Sequence, residues 1–138
     1  MTESPDALFM ELPYPPSVNH YWRMWRNRMV TSRQGRKYRA MVCDLLTPPS
    51  GHRRRHLAGR IALRLDAHPP DRRRRDLDNL LKCTQDSLAH AGAYEDDSQI
   101  DVLLVVRREP FPGGRVTVRL QILPLRRCPL CGGVWPKT

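Results

Sequence analysis

The sequence predicts a single α/β (α+β) domain, a mixed sheet with helices packed on it in β-α-β-α-β-β order. Three observations carry this. Ile61, Leu63 and Leu65 alternate with Arg60, Arg64 and Asp66, the period of a half-buried strand. Tyr38, Met41, Val42, Leu45 and Leu46 recur at helical spacing, as do Leu77, Leu80, Leu81, Thr84, Leu88 and Ala91. The chain has 138 residues, enough for one domain that buries about 68% of its unfolded surface without disulfide staples.

The elements follow in order. Ala7 to Leu12 reads as a first strand, stopped by Pro13, Pro15 and Pro16. Ser17 to Met29 reads as a polar, aromatic and basic loop. Thr31 or Ser32 caps a helix running to Leu46, which ends before Pro48 and Pro49. Gly51 to Gly59 is a basic connector, and Arg60 to His68 the second strand. Pro69-Pro70 breaks the chain, and a second helix runs from Leu77 to Ala91 with Gly92 as its stop. Val102 to Arg108 reads as a buried strand and Arg115 to Leu123 as an alternating one, with Gly113-Gly114 suiting a hairpin between them. The expected division is a domain over 1–124 and a tail over 125–138.

Composition narrows the function. No apolar stretch approaches the roughly 18 residues of a membrane span, and the acidic N-terminal residues Glu3 and Asp6 do not read as a signal peptide. The expectation is a cytoplasmic protein without a membrane partner, its cysteines reduced. Net charge is +10, and Lys37, Lys82 and Lys137 are the only lysines. Arginine offers a rigid fork of donors that suits phosphate oxygens. The clustering of Arg72 to Arg75, Arg53 to Arg55, and Arg23, Arg26 and Arg28 favours a nucleic-acid partner over a merely solvated surface. Tyr21, Trp22 and Trp25 interleave with these arginines and suit base stacking; core or dimer packing is the competing role, preferred for at least one tryptophan.

Carboxylates stand out against that charge in Asp71-Arg-Arg-Arg-Arg-Asp76-Leu77-Asp78, with Glu95-Asp96-Asp97 downstream. A nuclease needs both signs: arginines for phosphates, and carboxylates for a hard divalent cation. Residues two apart point in nearly opposite directions on a helix. Asp76 and Asp78 therefore share an ion only with Asp76 on the incoming loop and Asp78 in the first turn. Lys82 lies one helical turn after Asp78 and could stabilise charge at a phosphorus. The same residues also suit structural work: Asp76 as an N-cap, Asp78 and Lys82 as a surface pair, Asp96-Asp97 as an acidic turn.

The block from Pro70 to Leu80, followed by Lys82, Asp86, Ala91-Gly92 and Asp96-Asp97-x-Gln99, closely resembles the RusA family of Holliday-junction resolvases. Pro13-x-Pro15-Pro16-Ser17-x-Asn19 and Gly35-x-x-Tyr38-Arg39 are similar to that family too, so the resemblance covers roughly residues 8–123. It implies a homodimeric α/β endonuclease, acting near the nucleoid, that binds branched DNA (four-way junctions) and makes paired symmetric nicks. It implies a divalent metal, Mg2+ with Mn2+ as a substitute. By the same resemblance Asp76, Asp78 and Asp97 are the catalytic, metal-holding carboxylates and Lys82 the active-site lysine. Alternatives are a nuclease for forks or flaps and a non-catalytic basic DNA-binding module.

Two features lie outside the pattern: the Gly51 to Gly59 connector and the pair Cys128-x-x-Cys131. The pair reads as half of a zinc site, or as a tail with free thiols. A helix over 77–91 would be about 22 Å long, so Asp97 would leave from the end opposite Asp76. The chain must then fold sharply back, the carboxylate must come from a partner subunit, or the helix must be shorter or bent.

Overall fold

The computed structural model describes residues 2–4, 6–48, 56–124, 126–127 and 130–135. Its elements are β1 (Thr2–Ser4), β2 (Ala7–Pro13), α1 (Val18–Tyr21), β3 (Trp22–Trp25), β4 (Arg28–Thr31), α2 (Arg33–Leu46), β5 (Ile61–His68), α3 (Leu81–His90), β6 (Ile100–Arg107), β7 (Arg115–Ile122), β8 (Arg126–Arg127) and β9 (Val134–Trp135). Single 3-10 turns at Leu77–Leu80 and Asp97–Gln99 lead into α3 and β6. The main sheet has the order β1-β2-β7-β5-β6. It is mixed, as the sequence predicts: β5 and β6 run parallel, and the other pairs antiparallel. A parallel pair requires a crossover connection, and α3 lies in it.

β5 sits inside the sheet, and its alternation sorts its two faces. Ile61, Leu63, Leu65 and Ala67 are buried, while the residues between them are half-buried. Register places Leu65 opposite Val118 and Leu63 opposite Leu120, and Leu8, Met10 and Leu12 extend the apolar face onto β2. Tyr38, Val42 and Leu46 from α2, with Cys83 and Leu88 from α3, complete one core cluster. Burial pushes the Cys83 thiol up to about 12, so it packs as a small apolar group.

The N-terminus of α2 rests on a close contact. Ser32 caps it, its Oγ accepting from the Gly35 backbone N–H at 3.0 Å. A methyl group on Gly35 would lie 2.6 Å from Cδ2 of Tyr21 and 2.8 Å from Cγ2 of Thr31. Only glycine lets the Tyr21 ring lie this close to the helix. Gly35→Ala is expected to destabilise the fold: overpacking costs about 1–3 kcal/mol, against up to about 1 kcal/mol that alanine's helix propensity could return. Thermal denaturation checks this; an unchanged or raised Tm would overturn it.

Three expectations change. Residues Ser17 to Met29 are not a loop: they hold α1 and most of a β3–β4 hairpin. Its turn places Arg26 and Asn27 at φ +45° and +62°, a left-handed pair that asparagine tolerates and arginine does not advertise. β6 is not a buried strand. It is the outer strand of the sheet, with Val102, Leu103 and Leu104 each more than 40% exposed. Gly113-Gly114 do not close a hairpin either, because β5 lies between β6 and β7. The connection runs past the end of β5, where Phe111 N–H donates to the Pro69 carbonyl at 2.9 Å.

Candidate active site

The site grows from the C-terminal end of β5. Pro69 and Pro70 end the strand, and Asp71 then braces the arginine-rich loop. Its Oδ1 accepts from Arg75 Nη1 at 2.5 Å and from the Arg73 backbone N–H at 2.9 Å. The Arg75 guanidinium foremost, and then the Arg73 N–H, hold the Asp71 carboxyl down at about 2. Arg107 donates to the Arg75 carbonyl at 2.6 Å, tying the loop to β6. Asp76 follows with extended backbone (φ −83°, ψ 137°) and Asp78 sits in the first 3-10 turn. This is the loop-then-turn arrangement that lets residues two apart serve one site. Asp76 occupies the N-cap position, but its side chain makes no capping hydrogen bond. Both carboxylates are exposed.

Asp97 returns by a sharp fold within the same chain. The α-helical part is only ten residues, about 15 Å, and Gly92 stops it with φ +83°. Buried Tyr94 then pins the returning segment: its hydroxyl donates to the Gln85 carbonyl at 2.8 Å and lies 3.1 Å from Asp97 Oδ1. Asp97 Oδ2 ends 4.0 Å from Lys82 Nζ. The neighbouring Asp96 has a different task. It caps the 3-10 turn by accepting from Ser98 N–H at 2.9 Å, while the Gln99 side chain accepts from Glu95 N–H at 2.8 Å and Asp96 N–H at 3.1 Å. The acidic doublet thus splits into one capping and one site-facing carboxylate.

Lys82 does not pair with Asp78. A 3-10 turn carries about 3.0 residues per turn, which breaks the spacing a continuous α-helix would give. Its Nζ instead donates to Asp86 Oδ1 at 2.8 Å. Asp86 is only 17% exposed, and its Oδ2 accepts from Tyr21 Oη at 3.2 Å. Arg39 donates to that same Tyr21 oxygen at 3.2 Å. The hydrogen bond Lys82 donates to Asp86, more than any other contact, raises the Lys82 pKa, and Asp97 adds to it. The sequence reading assigned no role to Asp86, Arg39 or Tyr94, and gave Tyr21 base stacking or packing rather than a hydrogen bond to Asp86. Only Asp86 carried a local signal, its four-residue spacing from Lys82.

The basic residues divide in the same way. Arg72, Arg73 and Arg74 are exposed, whereas Arg75 is engaged by Asp71. Arg23 and Arg26 flank exposed Trp25, with their guanidinium carbons 5.7 and 5.2 Å from the ring centre. Tyr21 is fully buried and meets the half-buried Trp22 edge-on at 4.9 Å, so these two rings pack rather than project. Arg53, Arg54 and Arg55 lie outside the described residues. A cleft of about 410 Å³ opens between the Tyr14–His20 and Pro70–Leu80 segments, lined by Tyr14, His20, Arg74, Asp76 and Asn79 among others. Cys131 is exposed, its Sγ accepting from Gly133 N–H at 3.4 Å, while Cys128 lies outside the described residues.

Carboxylate oxygens are the donors a hard divalent cation takes. They are not drawn into one coordination sphere here: among the described residues, no group of three or more His, Cys, Asp or Glu side chains is placed to hold a metal ion. None of their helices is long and apolar enough to cross a membrane. Exposed arginines that draw in a polyanion accompany carboxylates and a lysine suited to phosphate chemistry on one mixed-sheet domain. That is the equipment of a small nuclease.

The family described as Endodeoxyribonuclease RusA matches residues 13–122. The crossover junction endodeoxyribonuclease of Enterobacteria phage HK97 is 42% identical over 115 residues, covering 79% of this chain and 89% of its own. Those of Escherichia coli strain K12 and of Enterobacteria phage 82 are each 39% identical over 109 residues, with the same coverage. The chain belongs to the RusA endodeoxyribonuclease family.

Proposed function

We propose that this protein resolves four-way DNA junctions by paired, symmetric, metal-dependent nicks, acting as a homodimer in the cytoplasm. The observation that carries the reading is the Asp76–Asp78 segment. It presents two exposed carboxylates beyond the end of β5, inside the region shared with the named crossover junction endodeoxyribonucleases. Asp76, Asp78 and Asp97 would hold Mg2+, or Mn2+ in its place, and the cation would supply Lewis acidity toward the phosphoryl group. Mg2+ is usually bound through one or two carboxylates plus substrate phosphates, so phosphate oxygens of the DNA would complete the ligand set.

The chain's own groups do the rest. The Lys82 ammonium stabilises negative charge developing on the phosphoryl oxygens. Arg72, Arg73 and Arg74 hold flanking phosphates, and Arg23, Arg26 and Trp25 on the hairpin reach the branch point, where unpaired bases offer faces for stacking. Arg75 acts differently, by shaping the loop through Asp71.

The test is a labelled four-way junction beside a matched linear duplex, each with Mg2+ or EDTA. Paired nicks in the junction alone, lost with EDTA, are expected. Tight binding without nicks under any divalent metal would leave only a DNA-binding module, and equal cleavage of forks and flaps would remove the junction preference. Binding should also weaken steeply with salt. Arg74→Ala is expected to lower the slope of log K against log salt by about 1, one phosphate contact's worth. An unchanged slope would take Arg74 off the DNA.

A second copy has a natural place to dock. Among the described residues, the outer edge of β6 carries no strand in the main sheet, and its exposed apolar side chains make that edge self-adhesive. Antiparallel pairing of two β6 strands about a two-fold axis at Leu104 sets Asp101 of one copy opposite Arg107 of the other, so charge and apolar pattern are both self-complementary.

A further inference from the structure

We infer that Asp86 and Tyr21 are positioning residues for Lys82: they hold its ammonium group at the site, beside Asp97, without themselves touching the DNA. The inference rests on the reading of Lys82 as the group that stabilises charge on the phosphate. The geometry is a chain of contacts that starts inside the fold and ends at the site. Arg39 donates to Tyr21 Oη at 3.2 Å, Tyr21 Oη donates to Asp86 Oδ2 at 3.2 Å, and Asp86 Oδ1 accepts from Lys82 Nζ at 2.8 Å.

From Tyr21 outward, each link is less free than the next. The Tyr21 ring is fully buried and wedged against Gly35 of α2. Asp86 is 17% exposed and each of its two oxygens accepts a hydrogen bond from a different residue, which restrains the carboxylate from turning. Lys82 is 45% exposed. A lysine this exposed ordinarily samples many rotamers, at an ordering cost of up to about 2 kcal/mol. Here the ammonium is held by a carboxylate that is itself restrained from turning. The contacts join three helices: α1 through Tyr21, α2 through Arg39 and α3 through Asp86 and Lys82. The Gly35-x-x-Tyr38-Arg39 stretch, far from the acidic block in sequence, thereby gains a role. Gly35 admits the Tyr21 ring, Tyr38 Oη donates to the Pro13 carbonyl at 2.7 Å, and Arg39 orients the Tyr21 hydroxyl.

The test pairs a kinetic measurement with one that needs no activity. Single-turnover junction cleavage, junction affinity and Tm are measured for Asp86→Ala, Asp86→Asn and Tyr21→Phe, each with Lys82 intact and in a Lys82→Ala background. Misplacing one charge-stabilising group should slow cleavage about tenfold to a hundredfold with Asp86→Ala, with junction affinity unchanged. Asp86→Asn, which keeps an oxygen facing Nζ, should recover part of the rate, and Tyr21→Phe should lose less than Asp86→Ala. In the Lys82→Ala background none of the three should cost anything further. Equal losses in both backgrounds would overturn the inference. So would rescue of Asp86→Ala by excess Mg2+, which would make Asp86 a metal ligand.

The second readout is side-chain order at one pH, from 13C relaxation of the lysine ε-methylenes. With three lysines in the chain, Lys82 is readily assigned. It should be the most ordered, and Asp86→Ala and Tyr21→Phe should loosen it. A Lys82 as mobile as Lys37, or one unmoved by either variant, would overturn the inference. Should the wild type cut no junction, the proposed function fails, and the relaxation data still decide whether Asp86 and Tyr21 hold Lys82. Tyr21→Phe removes a single oxygen, so the test stands even where Asp86→Ala does not fold.

Discussion

Asp78→Asn is expected to slow junction cleavage by about a thousandfold or more, the upper range for removing one charge-stabilising group from an active site, while junction binding holds or tightens. The substitution keeps the shape and one acceptor oxygen and removes the charge. Asp78 lies in the first 3-10 turn, exposed and outside the core cluster, so the fold should barely register the change. Binding should gain, because the lost carboxylate no longer repels DNA phosphate. Two unit charges about 4 Å apart in water repel by about 1 kcal/mol, a factor of about five in affinity.

The contrast is with Asp96, whose carboxylate caps its own turn. Asp96→Asn keeps an N-capping side chain and should retain cleavage. Single-turnover rates with junction affinities at fixed salt check both. An Asp78→Asn enzyme that cuts at the wild-type rate would remove Asp78 from the site, and the metal-holding assignment would fail with it.

The parts of this fold that were legible in the sequence are those whose causes are local. β5 could be read because its two faces differ, so alternation at Ile61, Leu63 and Leu65 survives in the residue order. α2 could be read because Ser32 caps it and Tyr38, Val42 and Leu46 share a face. The loop-then-turn placement of Asp76 and Asp78 was legible as the condition that helical geometry sets on two such residues sharing an ion. What was illegible depends on contacts between distant segments. The β3–β4 hairpin turns on Arg26-Asn27, which carries no glycine. The pairing of β7 with β5 rather than β6 is a choice of sheet edge, and two adjacent strands with glycines between them do not encode it. Asp97 reaches Lys82 because Tyr94 bonds back to Gln85, a tertiary constraint. Tyr21 meets Asp86 across 65 residues of chain.

β6 is the instructive failure. Val102 to Val106 is an unbroken apolar run, which sequence reading places in a sheet interior. The structure puts it at the edge and leaves it exposed. Both facts are satisfied at once when a second copy covers the strand. On that proposal Leu104→Arg should convert dimer to monomer. Leu104 is 46% exposed in the single chain, so an arginine there can reach water and the monomer's Tm should hold. In the dimer the same substitution acts twice, since the two-fold axis sets each new guanidinium against its copy in a drying interface. Like charges directly opposed and stripped of water should weaken association by about 3 kcal/mol or more, roughly a hundredfold in Kd. Sedimentation velocity across a concentration series reads this directly. Cleavage reports it independently: a monomer places one active site on the junction, so single nicks should replace paired ones. A variant that sediments as the wild type does would place the dimer contact elsewhere, and β6 would then be an exposed edge with no partner.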